Sequence, residues 1–407
     1  MPKSWKTSTI IPIPKNNKAS ALNDFRPVAL TSILAKCFET VVCQHLRREV
    51  MIKLDPLQFA YKAKRGVDDA CVTLIDLISR HLQNANAYCR VLMIDFSSAF
   101  NSIEPYVLLQ RLSNLNVNNH IILFINNFLR ERPQRVKANG TLSDEVVLST
   151  GAPQGCVLSP TLFSIYTDEI RFNGIITTLF KFADDMALVG LLTDEDSLAC
   201  YFLDIEKLHK WCNDSFLELN VRKTKELVFQ YTQNEFEPVK ISGDNVEVVE
   251  AFKYLGTIID TKLSFAENAN HIYKKCQQRL FLLRKLKSFD VCQLILQNVY
   301  RSLIESILSF NIICWFGILN VSEKNKLDRI VRLANKIIGV NQLSMKDLYV
   351  KAMNRKVKCV VSENSHPLFD QFQLLPSKRR YRVPMAKKTY KKSFVPSAIS
   401  ILNSTKI

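Results

Sequence analysis

The chain is short of acid. Its 407 residues carry 38 Asp and Glu against 55 Lys and Arg, a formal charge of +17 at pH 7. A surplus of that size costs folding energy through self-repulsion, so it belongs opposite a polyanion, nucleic acid first and an acidic membrane second. Also lacking, among eleven cysteines, is any pair at C-x-x-C spacing. That excludes zinc ribbons and knuckles, and the odd count fits reduced thiols, most of them small buried hydrophobes. No secretory signal opens the chain, because Met1 to Lys18 is basic and proline-punctuated without a continuous apolar core. The best membrane candidate, the seventeen uncharged residues from Ser306 to Ser322, falls short of the ~20 needed to span hydrocarbon. It also contains Ser309 and Asn311, so it reads as a buried helix and no membrane partner is expected. There is no internal repeat.

What remains is ordinary globular composition, 47% hydrophobic and 23% charged, at a length that implies two or three packed subdomains. Thr9 to Pro14 suits a short strand. After Arg26-Pro27, apolar positions Leu34, Phe38, Val41, Val42 and Leu46 recur at helical spacing behind a Thr31 or Ser32 cap. A second helix follows Gly66, with Asp68 and Asp69 in its first turn and Leu74, Leu77, Ile78 and Leu82 as its buried stripe. Arg90 to Asp95 is an apolar run that reads as a strand buried on both faces. Ile121 to Leu129, Leu158 to Ile170 and Ser197 to Asn213 read as helices, and Asn139-Gly140 marks a hairpin within 133–150. Thr178 to Gly190 reads as strand, acidic turn, strand, and from Asn268 the pattern is mainly helical.

Carboxylates stand where core residues should. Asp95 ends an apolar strand, and Asp184-Asp185 interrupt another apolar stretch. Aspartate is seldom buried unless paired or bound to a metal. Two unit charges about 4 Å apart repel by roughly 4 kcal/mol at an effective dielectric near 20. If the strands are neighbours, the cluster needs protons or hard divalent cations, and magnesium suits oxygen ligands of this kind. The competing reading is a tight turn, in which aspartate bonds its own backbone.

Seven words then appear in order: RPVAL (Arg26 to Leu30), QFAY (Gln58 to Tyr61), MIDFSSAF (Met93 to Phe100), GAPQGCVLSPTLF (Gly151 to Phe163), FADD (Phe182 to Asp185), LNVRKT (Leu219 to Thr224) and YLG (Tyr254 to Gly256). From about Trp5 to about Asp260 the chain resembles a reverse transcriptase of the non-LTR, LINE-type retrotransposons, with weaker similarity beyond. The resemblance implies an α+β fold with the right-hand polymerase architecture of fingers, palm and thumb, and a helical, basic C-terminal region. The implied divisions are 1–90 (fingers and N-terminal palm), 91–265 (palm, with a fingers hairpin inserted at about 113–150 and a primer-grip hairpin), 266–345 (helical thumb) and 346–407. The implied activity is RNA-directed DNA synthesis with two magnesium ions, manganese being an alternative. The implied partners are an RNA template, a DNA primer and deoxynucleoside triphosphates.

Residue by residue, Asp95, Asp184 and Asp185 match the metal-binding aspartates, and Phe96 would lend a backbone carbonyl. Phe100 matches the aromatic beneath the nucleotide sugar, a steric gate against a 2′-hydroxyl, although core packing would place a ring there too. Gln154 and Gly155 match the loop lining the nucleotide and template pocket. Arg26, with Lys15, matches the cations facing the triphosphate. Lys223 matches a proton donor to pyrophosphate, with Lys225 as a rival. Tyr254, Leu255 and Gly256 match the primer grip. Phe182 stands where Tyr is common, and Cys156 stands where Ser is frequent, which would make the loop sensitive to oxidation. An endonuclease domain is expected on a longer parent chain, and nuclear and cytoplasmic residence follows from the resemblance.

The stretch from Lys351 holds thirteen Lys or Arg against two acids. Lys378, Arg379, Arg380, Arg382, Lys387 and Lys388, interleaved with Tyr381 and Tyr390, read either as a nucleic-acid clamp with stacking tyrosines or as a solvated tail. Against the polymerase reading stands an inactive RNA-binding remnant or assembly protein that keeps the fold. The intact aspartates favour the polymerase.

Overall fold

Among the described residues, the short strands before about residue 260 pair into two five-stranded sheets and two small hairpins. The computed structural model describes residues 1–404 apart from 16–17, 173, 231–236 and 385–389. In the first sheet β1 (Ser8–Pro14) lies antiparallel to β2 (Phe25–Leu30) and parallel to β4 (Arg132–Ala138). The chain returns along β4 as β5 (Thr141–Leu142) and β6 (Val146–Leu148). Asn139 and Gly140 between β4 and β5 both take positive φ (49° and 81°), as a two-residue hairpin loop favours.

The second sheet has β3 (Tyr88–Ile94) at its centre, antiparallel to both β8 (Asp185–Leu192) and β9 (Lys225–Phe229). β7 (Thr177–Phe182) and β12 (Glu247–Val248) complete the order β12-β9-β3-β8-β7. Val91 and Met93 pack towards α3 (Val67–His81) and the C-terminal helices. Leu92 and Ile94 pack towards α4 (Pro105–Asn114), α5 (Asn119–Leu129), α6 (Ser159–Tyr166) and α7 (Glu195–Asp214). Cover on both faces is why Val91 to Ile94 of β3 reads as an unbroken apolar run. Hairpins β10–β11 (Lys240–Ile241, Asp244–Asn245) and β13–β14 (Ala251–Tyr254, Thr257–Asp260) follow.

Helices then take over: α8 (Ala266–Lys287), α9 (Gln293–Tyr300), α10 (Ser306–Ser309), α11 (Ile312–Trp315), α12 (Val321–Ile338), α13 (Met345–Val361) and α14 (Phe394–Ser404). The α+β class expected from the sequence holds. Among the described residues no helix is long and apolar enough to cross a membrane.

Three expectations change. The stretch from Ser306 to Ser322 is buried in large part but is not one helix. It breaks at Asn311, whose φ is +48° and whose side-chain amide donates to Thr257 Oγ1 at 2.8 Å. α2 (Ile33–Val50) begins after Ser32 as expected, but its buried face is rotated by about a quarter turn, keeping only Leu46 fully buried and Val42 half-buried from the expected stripe. Leu34, Phe38 and Val41 are exposed, while Ala35, Glu39, Cys43 and Leu46 are buried. Glu39 is the reason a charge lies on the inner face: its carboxylate accepts the N–H groups of Val157 and Leu158 at 2.7 and 3.2 Å. Nor is the basic C-terminal stretch a loose tail. α13 docks on the start of α3, where Lys356 Nζ lies 2.8 Å from both Asp69 oxygens and His366 Nε2 lies 3.0 Å from one. Burial alone would raise the Asp69 carboxyl, yet His366 and Lys356 hold it below its ordinary value.

Candidate active site

β3 and β8 carry two of the sequence-predicted carboxylates to one place. Their register ends with Ile94 opposite Met186, and carried one residue further it sets Asp95 across from Asp185. The β7–β8 hairpin closes through Ala183 and Asp184, since Phe182 pairs with Asp185. Ala183 has a φ of +58°, the left-handed region that costs an L residue roughly 1–2 kcal/mol.

Asp95 is fixed from the other side by LNVRKT. Its N–H donates to Thr224 Oγ1 at 3.3 Å, and its carbonyl accepts the Asn220 N–H at 2.9 Å. Phe96 is bridged to Leu219 by flanking bonds, Ser97 N–H to the Glu218 carbonyl and Asn220 N–H to the Asp95 carbonyl, both 2.9 Å. In that pattern the Phe96 carbonyl itself turns away from Leu219. The Lys223 ammonium lies 3.7 Å from Asp95 Oδ2, which is buried and accepts no hydrogen bond among the described residues. The rival Lys225 is held elsewhere, 2.6 Å from Glu247 Oε2 and 2.7 Å from the Arg222 carbonyl.

The three acids feel each other. Asp184 and Asp185 are exposed, but the protein behind them favours their neutral forms. Burial first, then the charge of Asp95, raises the Asp184 carboxyl, and Arg26 partly offsets this. Burial, then Asp184, then Asp95 push Asp185 up to about 6. Among the described residues, no three His, Cys, Asp or Glu side chains are drawn together closely enough to hold a metal ion. The donor set is nevertheless all oxygen, with one orphaned carboxylate atom and mutual repulsion that a cation would relieve.

A raised folded value carries a sign. Asp185 titrates higher in the fold than its ordinary 3.8, so its contribution to stability is complete below about pH 4 and is lost as the pH rises through about 6. In chelator, Asp185→Asn is therefore expected to melt higher than the wild type at pH 7, with the gap closing towards pH 4. Paired thermal scans across that range check it; a gap independent of pH would remove the repulsion from the account.

Around this corner lie the other expected residues. Arg26, exposed on β2, reaches Asp184 electrostatically. The Lys15 N–H donates to the Asp24 carbonyl at 2.8 Å. The Asp24 carboxylate is held low by the N–H groups of Ser20 and Ala21, with smaller help from Lys15 and Lys223. Phe100 stacks on Phe163 with centroids 4.7 Å apart, half-buried in a turn rather than a helix. The Gln154 carbonyl accepts the Ala29 N–H at 2.6 Å. Gly155 has a φ of +114°, and a Cβ there would meet the Ala29 oxygen at 2.7 Å, so only glycine fits. Cys156 is buried and its thiol is pushed up to about 12 by burial and then by Glu39. Thiolate is what oxidises, so the expected sensitivity is corrected.

Tyr254-Leu255-Gly256 forms the closed end of the β13–β14 hairpin, with φ of 46° and 86° at the two loop residues. Tyr254 is buried, and after burial and Cys71 the charge of Asp185 contributes to raising its hydroxyl. Lys378, Arg379, Arg380 and Arg382 are exposed on a short hairpin in which Leu374 bridges Tyr381. Lys387 and Lys388 lie outside the described residues. Tyr390 is buried beside Asp76, and Tyr381 packs edge-on against Phe372 at 6.4 Å, so the expected pair of free stacking rings is corrected. Sequence reasoning passed over Gln58, Thr224, Asp55 and Lys181, although all but Asp55 sit within or beside words it had singled out.

The family described as reverse transcriptase (RNA-dependent DNA polymerase) matches residues 13–259, and the chain belongs to it. Its non-LTR retrotransposon branch follows from the relatives. The chain is 24% identical over 345 residues to the RNA-directed DNA polymerase from mobile element jockey of Drosophila melanogaster, covering 80% of this chain and 37% of that protein. It is 26% identical over 198 residues to the Pol polyprotein of the type-2 retrotransposable element R2DM of the same fly, covering 46% and 18%. The chain thus spans under two fifths of the length of these relatives. A second family, alkylated DNA repair protein alkB homolog 8, N-terminal, matches residues 266–306. Apo telomerase from Candida tropicalis aligns at a TM-score of 0.45 and 12% identity, covering 88% of this chain and 67% of that one. The right-hand polymerase arrangement goes with membership of the reverse transcriptase family, not with that alignment.

Proposed function

We propose that this chain is the RNA-directed DNA polymerase portion of a non-LTR retrotransposon protein, extending a primer 3′-hydroxyl with deoxynucleotides. The observation that carries this is the apposition of Asp95 with the Ala183–Asp185 corner across β3 and β8. Asp95, Asp184, Asp185 and the Phe96 carbonyl would hold two divalent ions, magnesium or manganese, which supply charge at the primer hydroxyl and at the departing pyrophosphate.

The chain's own residues do the rest. Arg26 and Lys15 receive the triphosphate, where a guanidinium fork suits phosphate oxygens. Gln154 and the close-approaching Gly155 line the nucleotide and template pocket. Lys223, poised 3.7 Å from Asp95, is placed to give a proton to pyrophosphate. Tyr254, Leu255 and Gly256 position the primer end. The divisions 1–90, 91–265, 266–345 and 346–407 serve as fingers with N-terminal palm, palm, thumb and a basic C-terminal region whose exposed arginines and lysines take nucleic acid.

Magnesium-dependent extension of a DNA primer on an RNA template by the purified chain tests the reading. Incorporation is expected, and tight RNA binding without any would overturn it in favour of an inactive remnant. Phe100 gives a finer test. Phe100→Val is expected to raise ribonucleotide use relative to deoxynucleotide use by about tenfold or more. A lower melting point with an unchanged ratio would assign the ring to packing on Phe163 alone.

A further inference from the structure

The edge of the second sheet beyond β7 is not bare. Residues 57–59 run alongside it, with the Lys181 N–H donating to the Leu57 carbonyl at 3.0 Å and the Phe59 N–H to the Lys181 carbonyl at 2.9 Å. Gln58, bridged to Lys181 in this pairing, is 1% exposed. Its Oε1 accepts the Ala60 N–H at 3.1 Å and the Ala183 N–H at 3.4 Å. Two N–H donors on one atom fix which end of the amide is oxygen. The other end, Nε2, is buried without a partner among the described residues.

We propose that Gln58 is a positioning residue for the acidic turn, tying Ala183 and so setting where Asp184 and Asp185 present their carboxylates. This rests on the polymerase reading above. The turn needs such a tie for two reasons. Ala183 keeps a left-handed φ without being glycine, a conformation that persists only when its surroundings over-determine it. The two aspartates next to it repel each other and Asp95, so nothing among the acids themselves holds the corner shut. The 3.4 Å bond to Ala183 is the weaker of the two, so what global stability the acceptor supplies comes mainly from its 3.1 Å bond to the Ala60 N–H. Placement is another matter, since a shift of about 1 Å at reacting groups can cost about a hundredfold in rate. Tyr61, three residues on and also at positive φ (60°), lies within electrostatic reach of Asp184, so the QFAY segment borders the corner at both ends.

Two variants and two readouts test this. Gln58→Met keeps the length of the side chain and removes the acceptor; Gln58→Glu, which burial favours in its neutral form, keeps an acceptor oxygen. Gln58→Met is expected to lower kcat about 10- to 100-fold and to weaken manganese binding by the metal-free chain, read by titration calorimetry, about tenfold. The deoxynucleotide KM should hold and the chain should stay folded at the assay temperature, with a modestly lower melting temperature from the lost Ala60 bond, and Gln58→Glu should regain most of both losses. Unchanged kcat and manganese affinity in Gln58→Met would overturn the proposal, as would equal losses in both variants that track a lower melting point. Asp184→Asn serves as the control for the site. If the wild type itself binds no manganese beyond that control, the metal reading falls and takes this one with it, a result distinct from a wild type that binds and a Gln58→Met that binds equally.

Discussion

Asp184→Asn is expected to cut nucleotide incorporation about a thousandfold or more, equivalent to about 4 kcal/mol of barrier, while template–primer affinity stays within about twofold. Asparagine preserves the shape of the turn and its exposure, so the hairpin that sets Asp184 beside Asp95 should survive. What it loses is the charge. The carboxylate is exposed and in no ion pair among the described residues, with Arg26 only partly offsetting the effects that raise it. A structural aspartate would be missed in the melting curve; here the curve should hold or rise, because a repelling charge has gone. Single-turnover extension beside filter binding of the same template–primer gives both numbers. Retained synthesis would strip Asp184 of its proposed role, and a parallel loss of binding would make it a scaffold residue.

How far the sequence led differs from one residue to the next. β3 and the β7–β8 hairpin were legible because strands buried on both faces leave long apolar runs, and an acidic pair inside such a run has few structural reasons to exist. Helix α3 was legible for a different reason, since Gly66, the first-turn acids and the leucine spacing agree. α2 was misread in its orientation. Its apolar spacing is real, but Glu39 has a better claim on the inner face, because it caps the N–H groups of Val157 and Leu158 more than a hundred residues away. No local pattern encodes a long-range acceptor of that kind. Asn311 broke the Ser306–Ser322 stretch for the same reason, its amide finding Thr257 across the fold. The basic C-terminal stretch looked solvated because charge dominates it, yet Lys356 is spent on Asp69 and Tyr390 lies inside. The candidate site could be named from the sequence in its charged members, because a carboxylate inside an apolar run stands out. Gln58 and Thr224, whose oxygens accept the N–H groups of Ala183 and Asp95, drew no notice as individuals although their words had been singled out.

Lys181 carries the second large effect, on stability. It lies on β7 one residue before Phe182, wholly buried, with its ammonium 2.9 Å from the equally buried Asp55 Oδ2. Nζ also donates to the carbonyls of Ile170 at 2.6 Å and Thr167 at 3.1 Å. Burial lowers the pKa of this lysine and Asp55 partly restores it, so the pair is a costly one that the fold retains because both halves are present. Lys181→Met takes away the ammonium that faces the buried Asp55 carboxyl, and is expected to cost about 3–5 kcal/mol in urea unfolding. The double variant Lys181→Met/Asp55→Leu removes both charges and should recover most of that. If instead the double variant is as unstable as the single one, the bonds the two side chains make to backbone, Lys181 to Thr167 and Ile170 and Asp55 to the Leu57 N–H, are what the pair supplies.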